Sequence, residues 1–189
     1  KLLQYVTGTS KRYTATIRLG METSTEDAQG EVTGARGIGA LGEDADRWPD
    51  LIEAAMVRLR GDVLQVPSAV SALKVNGRRA HQLVREGVRV ELDARPVVVS
   101  AFAMLGAPRR GAATAHVIDV DVDVECSAGT YVRALARDLG DLLGTGAHLT
   151  ALRRTRVGEW DVAGALRICE LNEFNLRGEE LPVLGLTEL

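Results

Sequence analysis

The amino-acid sequence predicts an α+β fold, a mixed and largely antiparallel sheet with flanking helices. Three observations predict it. Two stretches alternate strictly between apolar and other residues, which is the signature of half-buried strands. Single helical periods stand between such strands, the arrangement of an α+β domain. With 46% hydrophobic and 26% charged residues, the composition is that of a chain able to bury a core.

The elements follow in order. Residues 12–19 place Tyr13, Ala15, Ile17 and Leu19 on one side of a strand that Gly20 ends. Residues 21–30, METSTEDAQG, read as a polar loop. Residues 46–61 form a helix with Trp48 and Pro49 at its start, an apolar stripe of Leu51, Ile52, Ala55, Met56 and Leu59, and Gly61 as its stop. Residues 66–87 start with Pro67-Ser68, turn at Asn76-Gly77 and end in a short helix over 80–85. A second strand spans 96–105, followed by a turn over 106–111. Residues 116–126 are the clearest element: Ile118, Val120, Val122, Val124 and Cys126 alternate with Asp119, Asp121, Asp123 and Glu125, predicting a strand with one wet, acidic face. A helix over 131–143 turns Val132, Leu135, Ala136, Leu139 and Leu143 inward, and Gly144-Thr145-Gly146 ends it. Residues 148–157 return as a strand, and the tail from Asp161 is helical, then irregular.

The 189 residues suit one domain, or one domain and part of a second. A net charge of −3 argues against a uniformly basic nucleic-acid binder and leaves room for a local basic face. Cys126 and Cys169, without ligand-like spacing, read as reduced thiols of a cytoplasmic protein. No apolar run approaches the roughly 18–20 residues of a membrane span. Lys1-Leu2-Leu3-Gln4-Tyr5-Val6 has no initiator methionine and reads as the last turns of a helix already under way, so the chain is expected to start inside a longer sequence.

Common catalytic signatures are missing: a phosphate loop, His-Glu-x-x-His, Gly-x-Ser-x-Gly and Cys-x-x-Cys. Gly37-Ile38-Gly39-Ala40-Leu41-Gly42 has dinucleotide-binding spacing, but Glu43, Asp44 and Asp46 follow directly and would repel pyrophosphate, so a surface loop is the better reading. Gly129-Thr130-Tyr131-Val132-Arg133 sits where a strand passes into a helix, at a sheet edge where clefts form. Local sequence alone favours a packed tyrosine and a solvated arginine there. Lys11-Arg12-Tyr13 reads equally as a core tyrosine or as cations beside an aromatic platform for a single-stranded base. Residues 67–95 hold Lys74, Arg78, Arg79, Arg85, Arg89 and Arg95 against Glu86, Glu91 and Asp93. The net charge of +3 there leaves −6 for the rest. Such asymmetry suits a basic finger on a polyanion and equally a solvated face. Arg153, Arg154 and Arg156 form another basic cluster.

Taken in order, four segments resemble the TruB family of tRNA pseudouridine synthases: Lys11-Arg12-Tyr13-x-Ala15 running to Leu19-Gly20; Pro67-Ser68-x-x-Ser71-Ala72-Leu73-Lys74 with Gly77; Gly129-Thr130-Tyr131-Val132-Arg133; and Gly146-Ala147-His148 with Leu152-Arg153-Arg154. Thr23-x-Thr25-x-Asp27-x-x-Gly30 fits the family's loop as well. The resemblance covers roughly residues 1–160 and implies a pseudouridine-synthase-like fold. It also implies a reaction: a T-loop uridine of tRNA is flipped out, its N-glycosidic bond is cut, and the ring is rejoined through C5, with no cofactor and no metal. By likeness, Tyr13 would stack on the base, Tyr131 would lie beside it near the reacting centre, Arg133 would pair with the catalytic aspartate, and Leu152 would wall the pocket. Lys11, Arg12, Lys74, Arg78, Arg79, Arg85, Arg153 and Arg154 would meet the RNA. The family's nucleophilic aspartate lies in a Gly-x-Leu-Asp-type motif upstream of the segment matched by residues 1–6. The 189 residues alone are therefore expected to be inactive.

The expected division is a catalytic-domain portion over 1–165, with 67–95 as a basic RNA-gripping insertion, and a linker with the start of a C-terminal RNA-binding domain over 166–189. The resemblance implies tRNA, through its T-stem-loop, as the partner, and the protein is expected to be a cytoplasmic monomer without membrane association. The main competing function is a non-catalytic RNA-binding module; a dinucleotide-binding oxidoreductase is a distant third.

Overall fold

The computed structural model describes residues 9–178 except 76, 89, 112–113 and 115; at 81, 85 and 175 it describes the backbone alone. The helix expected over residues 1–6 and the tail 179–189 lie outside the described residues. The central element is β1 (Lys11–Leu19), flanked by β10 (Ala147–Val157) and β9 (Ile118–Cys126). Beyond β9 stand β7 (Arg95–Met104) and the edge strand β4 (Gly61–Gln65), while β11 (Trp160–Asp161) closes the side of β10 and β8 (Arg109–Arg110) pairs with β9. Two small hairpins lie apart: β2 (Glu22–Thr23) with β3 (Val32–Gly34), and β5 (Lys74–Val75) with β6 (Arg78–Arg79). Every described ladder is antiparallel; a single bridge between Asp27 and Leu149 is parallel.

The alternation of β1 and β9 decides where the core lies. Ile17, Leu19, Val120, Val122 and Val124 are all fully buried on the sheet face covered by α1 (Trp48–Val57) and α3 (Val132–Leu142). Helix α1 contributes Ile52 and Met56, and α3 contributes Leu135 and Leu139. Each such side chain stabilises the fold by about 1.5–3 kcal/mol relative to exposure. Gly140 of α3 is required by contact: a Cβ there would sit 2.4 Å from the Ala147 nitrogen, where the helix crosses the start of β10. Two short helices complete the chain, α2 (Ala80–Arg85) and α4 (Ile168–Arg177).

The structure corrects two expectations. The helix expected over 46–61 ends at Val57, and residues 61–65 form the edge strand β4. The acidic face of β9 is only partly wet: Asp119 and Asp123 are buried, while Asp121 and Glu125 are half-exposed. Neighbouring strands bring arginines over it. Arg18 Nε and Nη2 donate to both oxygens of Asp119 at 2.8 Å, and Arg12 Nε donates to Asp123 at 2.9 and 3.1 Å. Arg109 and Thr16 hold Asp121, and Arg156 pairs with Glu125 at 2.7 Å. Cross-strand pairing of opposite charges makes this face a neutral ladder.

Gly37 to Gly42 passes into a short 3-10 turn, Gly39–Leu41, after the three-residue β3. Among the described residues no βαβ unit surrounds it, so the dinucleotide reading has no structural support there.

Candidate RNA-modification site

The site grows from the end of β9. The chain turns at 127–130, with Gly129 at φ +87°, and enters α3 at Tyr131. The side chain of the buried Gln65 fixes that entry: its Oε1 accepts from the Tyr131 N–H at 2.8 Å, and its Nε2 donates to the Tyr131 carbonyl at 3.2 Å. The apolar stripe of α3 faces the sheet, which turns Arg133 toward the loop at 24–31 and the segment at 66–70. There Arg133 forms an ion pair with Asp27 through Nη2 and donates from Nη1 to the Val70 carbonyl at 3.2 Å.

Asp27 is anchored as firmly as its partner. Thr25 Oγ1 donates to its Oδ1 at 2.6 Å, the Gln29 N–H donates to the same oxygen at 3.0 Å, and the Asp27 carbonyl accepts from Thr23 Oγ1 at 2.7 Å. Burial by itself would raise the carboxyl's pKa. The hydrogen bonds from Thr25 and Gln29 and the charge of Arg133 outweigh it, and the carboxyl is held below its ordinary value. The Asp27 carboxylate is therefore ionised at neutral pH.

This ion pair forms one wall of a cleft of about 310 Å³ lined by Asp27, Ala28, Gln29, Arg133, Thr150 and Leu152, among others. That volume is at the small end of ligand pockets. Leu152 is 47% exposed and adds an apolar side chain to the lining of the same cleft. A carboxylate-fixed guanidinium and an apolar side chain in one cleft suit a planar polar ring beside an anionic group.

Of the residues singled out by sequence, the cleft brings together Arg133 and Leu152. Tyr13 and Tyr131 are not among its lining residues. Tyr13 packs half-buried against the core on the same sheet face: it lies two residues along β1 from Ala15, which pairs with Leu152, and is itself paired with Arg154. Burial raises the Tyr13 phenol pKa, the Cys126 thiol adds to this, and the hydrogen-bonding Arg154 opposes it. Tyr131 stands at the N-terminus of the helix that carries Arg133.

The cations divide. Arg12 is engaged by Asp123 on the opposite sheet face, and Arg153 lines a second hollow with Thr14, Thr16 and Asp121 that shares Ala151 and Leu152 with the cleft. Lys11 Nζ donates to the Thr9 carbonyl at 3.1 Å. Lys74, Arg78 and Arg79 lie exposed on the β5–β6 hairpin, with Arg78 paired to Glu86. The side chain of Arg85 lies outside the described residues. Sequence reasoning gave Asp27 no role. Its signal was the Thr25-x-Asp27 spacing of a side-chain-closed turn, together with the need of Arg133 for a carboxylate.

The TruB family pseudouridylate synthase model (N-terminal domain) matches residues 1–132, and the tRNA pseudouridylate synthase B C-terminal domain model matches 133–181. The chain belongs to the TruB family. Among TruB relatives, it is 54% identical over 175 residues to tRNA pseudouridine synthase B of Mycobacterium leprae, covering 92% of this chain and 53% of that protein. It is 51% identical over 189 residues to the protein of the same name from an Arthrobacter species, covering all of this chain and 57% of that one. The chain thus spans about half the length of the curated relatives it matches. The fold is that of a Cbf5–Nop10–Gar1 complex structure (TM-score 0.60, 23% identity, 95% of this chain and 41% of that one). It also resembles an H/ACA RNP bound to a substrate RNA containing 2'-deoxyuridine (TM-score 0.56, 21% identity, 95% and 39%). The junction between the two TruB models falls at the start of α3, yet β10 beyond it pairs with β1, so the sheet spans both. Among the described residues no acidic, histidine or cysteine cluster could hold a metal, and no helix is long and apolar enough to cross a membrane.

Proposed function

We propose that the chain is the base-holding and RNA-gripping portion of a tRNA pseudouridine synthase that isomerises a flipped-out T-loop uridine. The C1'–N1 bond breaks, the ring turns, and a C1'–C5 bond forms; the C5 hydrogen leaves as a proton and N1 gains one. The nucleophilic aspartate belongs to a segment outside this sequence. Arg133, fixed by Asp27, orients that carboxylate and keeps it ionised. Leu152 walls the base, Tyr13 stacks on it, and Tyr131 lies beside the reacting centre. A flipped base needs a stacking face and walls that exclude water. Lys11, Arg12, Lys74, Arg78, Arg79, Arg85, Arg153 and Arg154 supply phosphate contacts, which set register and carry the salt dependence. Residues 1–165 act as the catalytic-domain portion with 67–95 as its gripping insertion, and 166–189 lead toward a second RNA-binding domain. The enzyme works as a cytoplasmic monomer on the T-stem-loop.

The observation that carries this reading is the Arg133–Asp27 ion pair, which lines one cleft with Leu152 in a TruB chain. The test is tritium release from a T-stem-loop labelled at uridine C5, using the protein in its natural full length and the 189 residues alone. The reading requires release by the full-length protein and none by the 189 residues. Tight RNA binding without release by the full-length protein would instead establish a non-catalytic RNA-binding module.

A further inference from the structure

One turn beyond Arg133, α3 carries a second arginine that the proposed reaction does not use. Arg137 is four residues on, so the two guanidiniums project from the same helix face about 6 Å apart along the axis. Their partners repeat with the same logic. Arg133 joins Asp27 to the Val70 carbonyl. Arg137 Nη1 donates to Glu26 Oε1 at 2.7 Å, and its Nη2 donates to the Val66 carbonyl at 2.7 Å. Consecutive acids of the loop are thus matched to arginines one helical turn apart. Each arginine also grips a carbonyl at the root of the basic segment that starts at 67.

Glu26 needs this contact. It is the non-glycine among the described residues with positive φ, +59°, a conformation L-residues seldom adopt outside sites that enforce it. Its Oε2 is buried with no hydrogen-bond partner among the described residues, so the Arg137 guanidinium is what offsets its charge. The Glu26 carbonyl accepts from the Leu149 N–H at 3.0 Å, which locks the same turn onto β10 beside the cleft. Asp138 completes the set, accepting from Arg137 Nε at 2.9 Å and Nη2 at 2.8 Å.

We propose that Arg137, with Glu26 and Asp138, is a positioning residue: it clamps the 24–31 loop and the 66–70 root together so that Asp27 stays on Arg133. The proposal rests on the functional reading above and assigns the rigidity of that site to a second ion pair. Shifting the loop by an ångström would misdirect Arg133.

The test uses the full-length protein with Arg137→Gln, Arg137→Lys, Glu26→Gln and the double variant Glu26→Gln/Arg137→Gln. Arg137→Gln should slow single-turnover pseudouridine formation roughly 10- to 100-fold, as expected for a small misplacement of a reacting group. T-stem-loop affinity should fall by less than the rate does, because the side chains that make the phosphate contacts are all kept. Arg137→Lys should recover part of the rate, and the double variant should be no slower than Arg137→Gln. A wild-type rate in Arg137→Gln, or a deficit that vanishes well below the melting temperature, would overturn the proposal by reducing the clamp to a stability contact. If the wild-type protein makes no pseudouridine, the functional reading fails by itself. A crystal structure of Arg137→Gln then decides the clamp: Asp27 parted from Arg133 supports it, and an intact pair sinks it.

Discussion

Replacing Asp27 with Asn removes one charge and little else. The amide oxygen can still accept from Thr25 Oγ1 and the Gln29 N–H, so the loop keeps its turn, while the attraction to Arg133 is lost. Two unit charges about 4 Å apart attract by about 4 kcal/mol at an effective dielectric of 20. The Asp27 side chain is 13% exposed and that of Arg133 32%, so water screens part of this. A net loss of about 1–2 kcal/mol of stability near neutral pH is the working figure, between exposed and buried pairs. Its pH dependence has a definite sign. The folded-state pKa of Asp27 is lowered from 3.8, so its contribution is fully present above that value and is lost as pH falls through the lower folded value. Urea unfolding of both proteins from pH 7 to pH 2 measures the difference directly, since carboxylates common to both cancel. A gap that opens above pH 4 and closes in acid is the expected result. A gap independent of pH, or none at pH 7, would refute the ion-pair account of the site.

Other consequences are simpler. Leu139→Ala, at a fully buried position of α3, should cost about 2–5 kcal/mol of unfolding free energy with an unchanged denaturant slope. Gly140→Ala should destabilise by about 1–3 kcal/mol in the same assay, although alanine is the better helix former, because its Cβ meets the backbone of residues 146–147. Asp119→Ala, which strands Arg18, should cost about 1–3 kcal/mol of unfolding free energy in the same assay. Lys74→Ala and Arg79→Ala should each lower the salt slope of RNA binding by about 1 without moving the melting temperature.

The strands and helix with a clean period were legible in the sequence. β1, β9 and α3 lie within about two residues of their expected bounds because one apolar face dictates each. The edge strand β4 was not, because Gly61-Asp62-Val63-Leu64-Gln65 has no alternation and Leu64 is exposed. The acids of β9 read as solvated because their arginines arrive only through strand pairing, which no local pattern encodes. The site was half legible. Arg133 and Leu152 were given roles by motif likeness, whereas Asp27 was matched in the family's loop without a role and Glu26 sat beside it in what looked like a polar loop. Their roles depend on a bridge to Leu149 and on an i, i+4 pair of arginines far along the chain.

The most direct measurement of the central claim is a crystal structure of the full-length protein with a T-stem-loop RNA. The account predicts one uracil ring out of the RNA stack, seated against Leu152, with Arg133 still bound to Asp27 and facing a carboxylate beside the sugar. A flipped base lodged elsewhere, or RNA bound with that cleft empty, would contradict it.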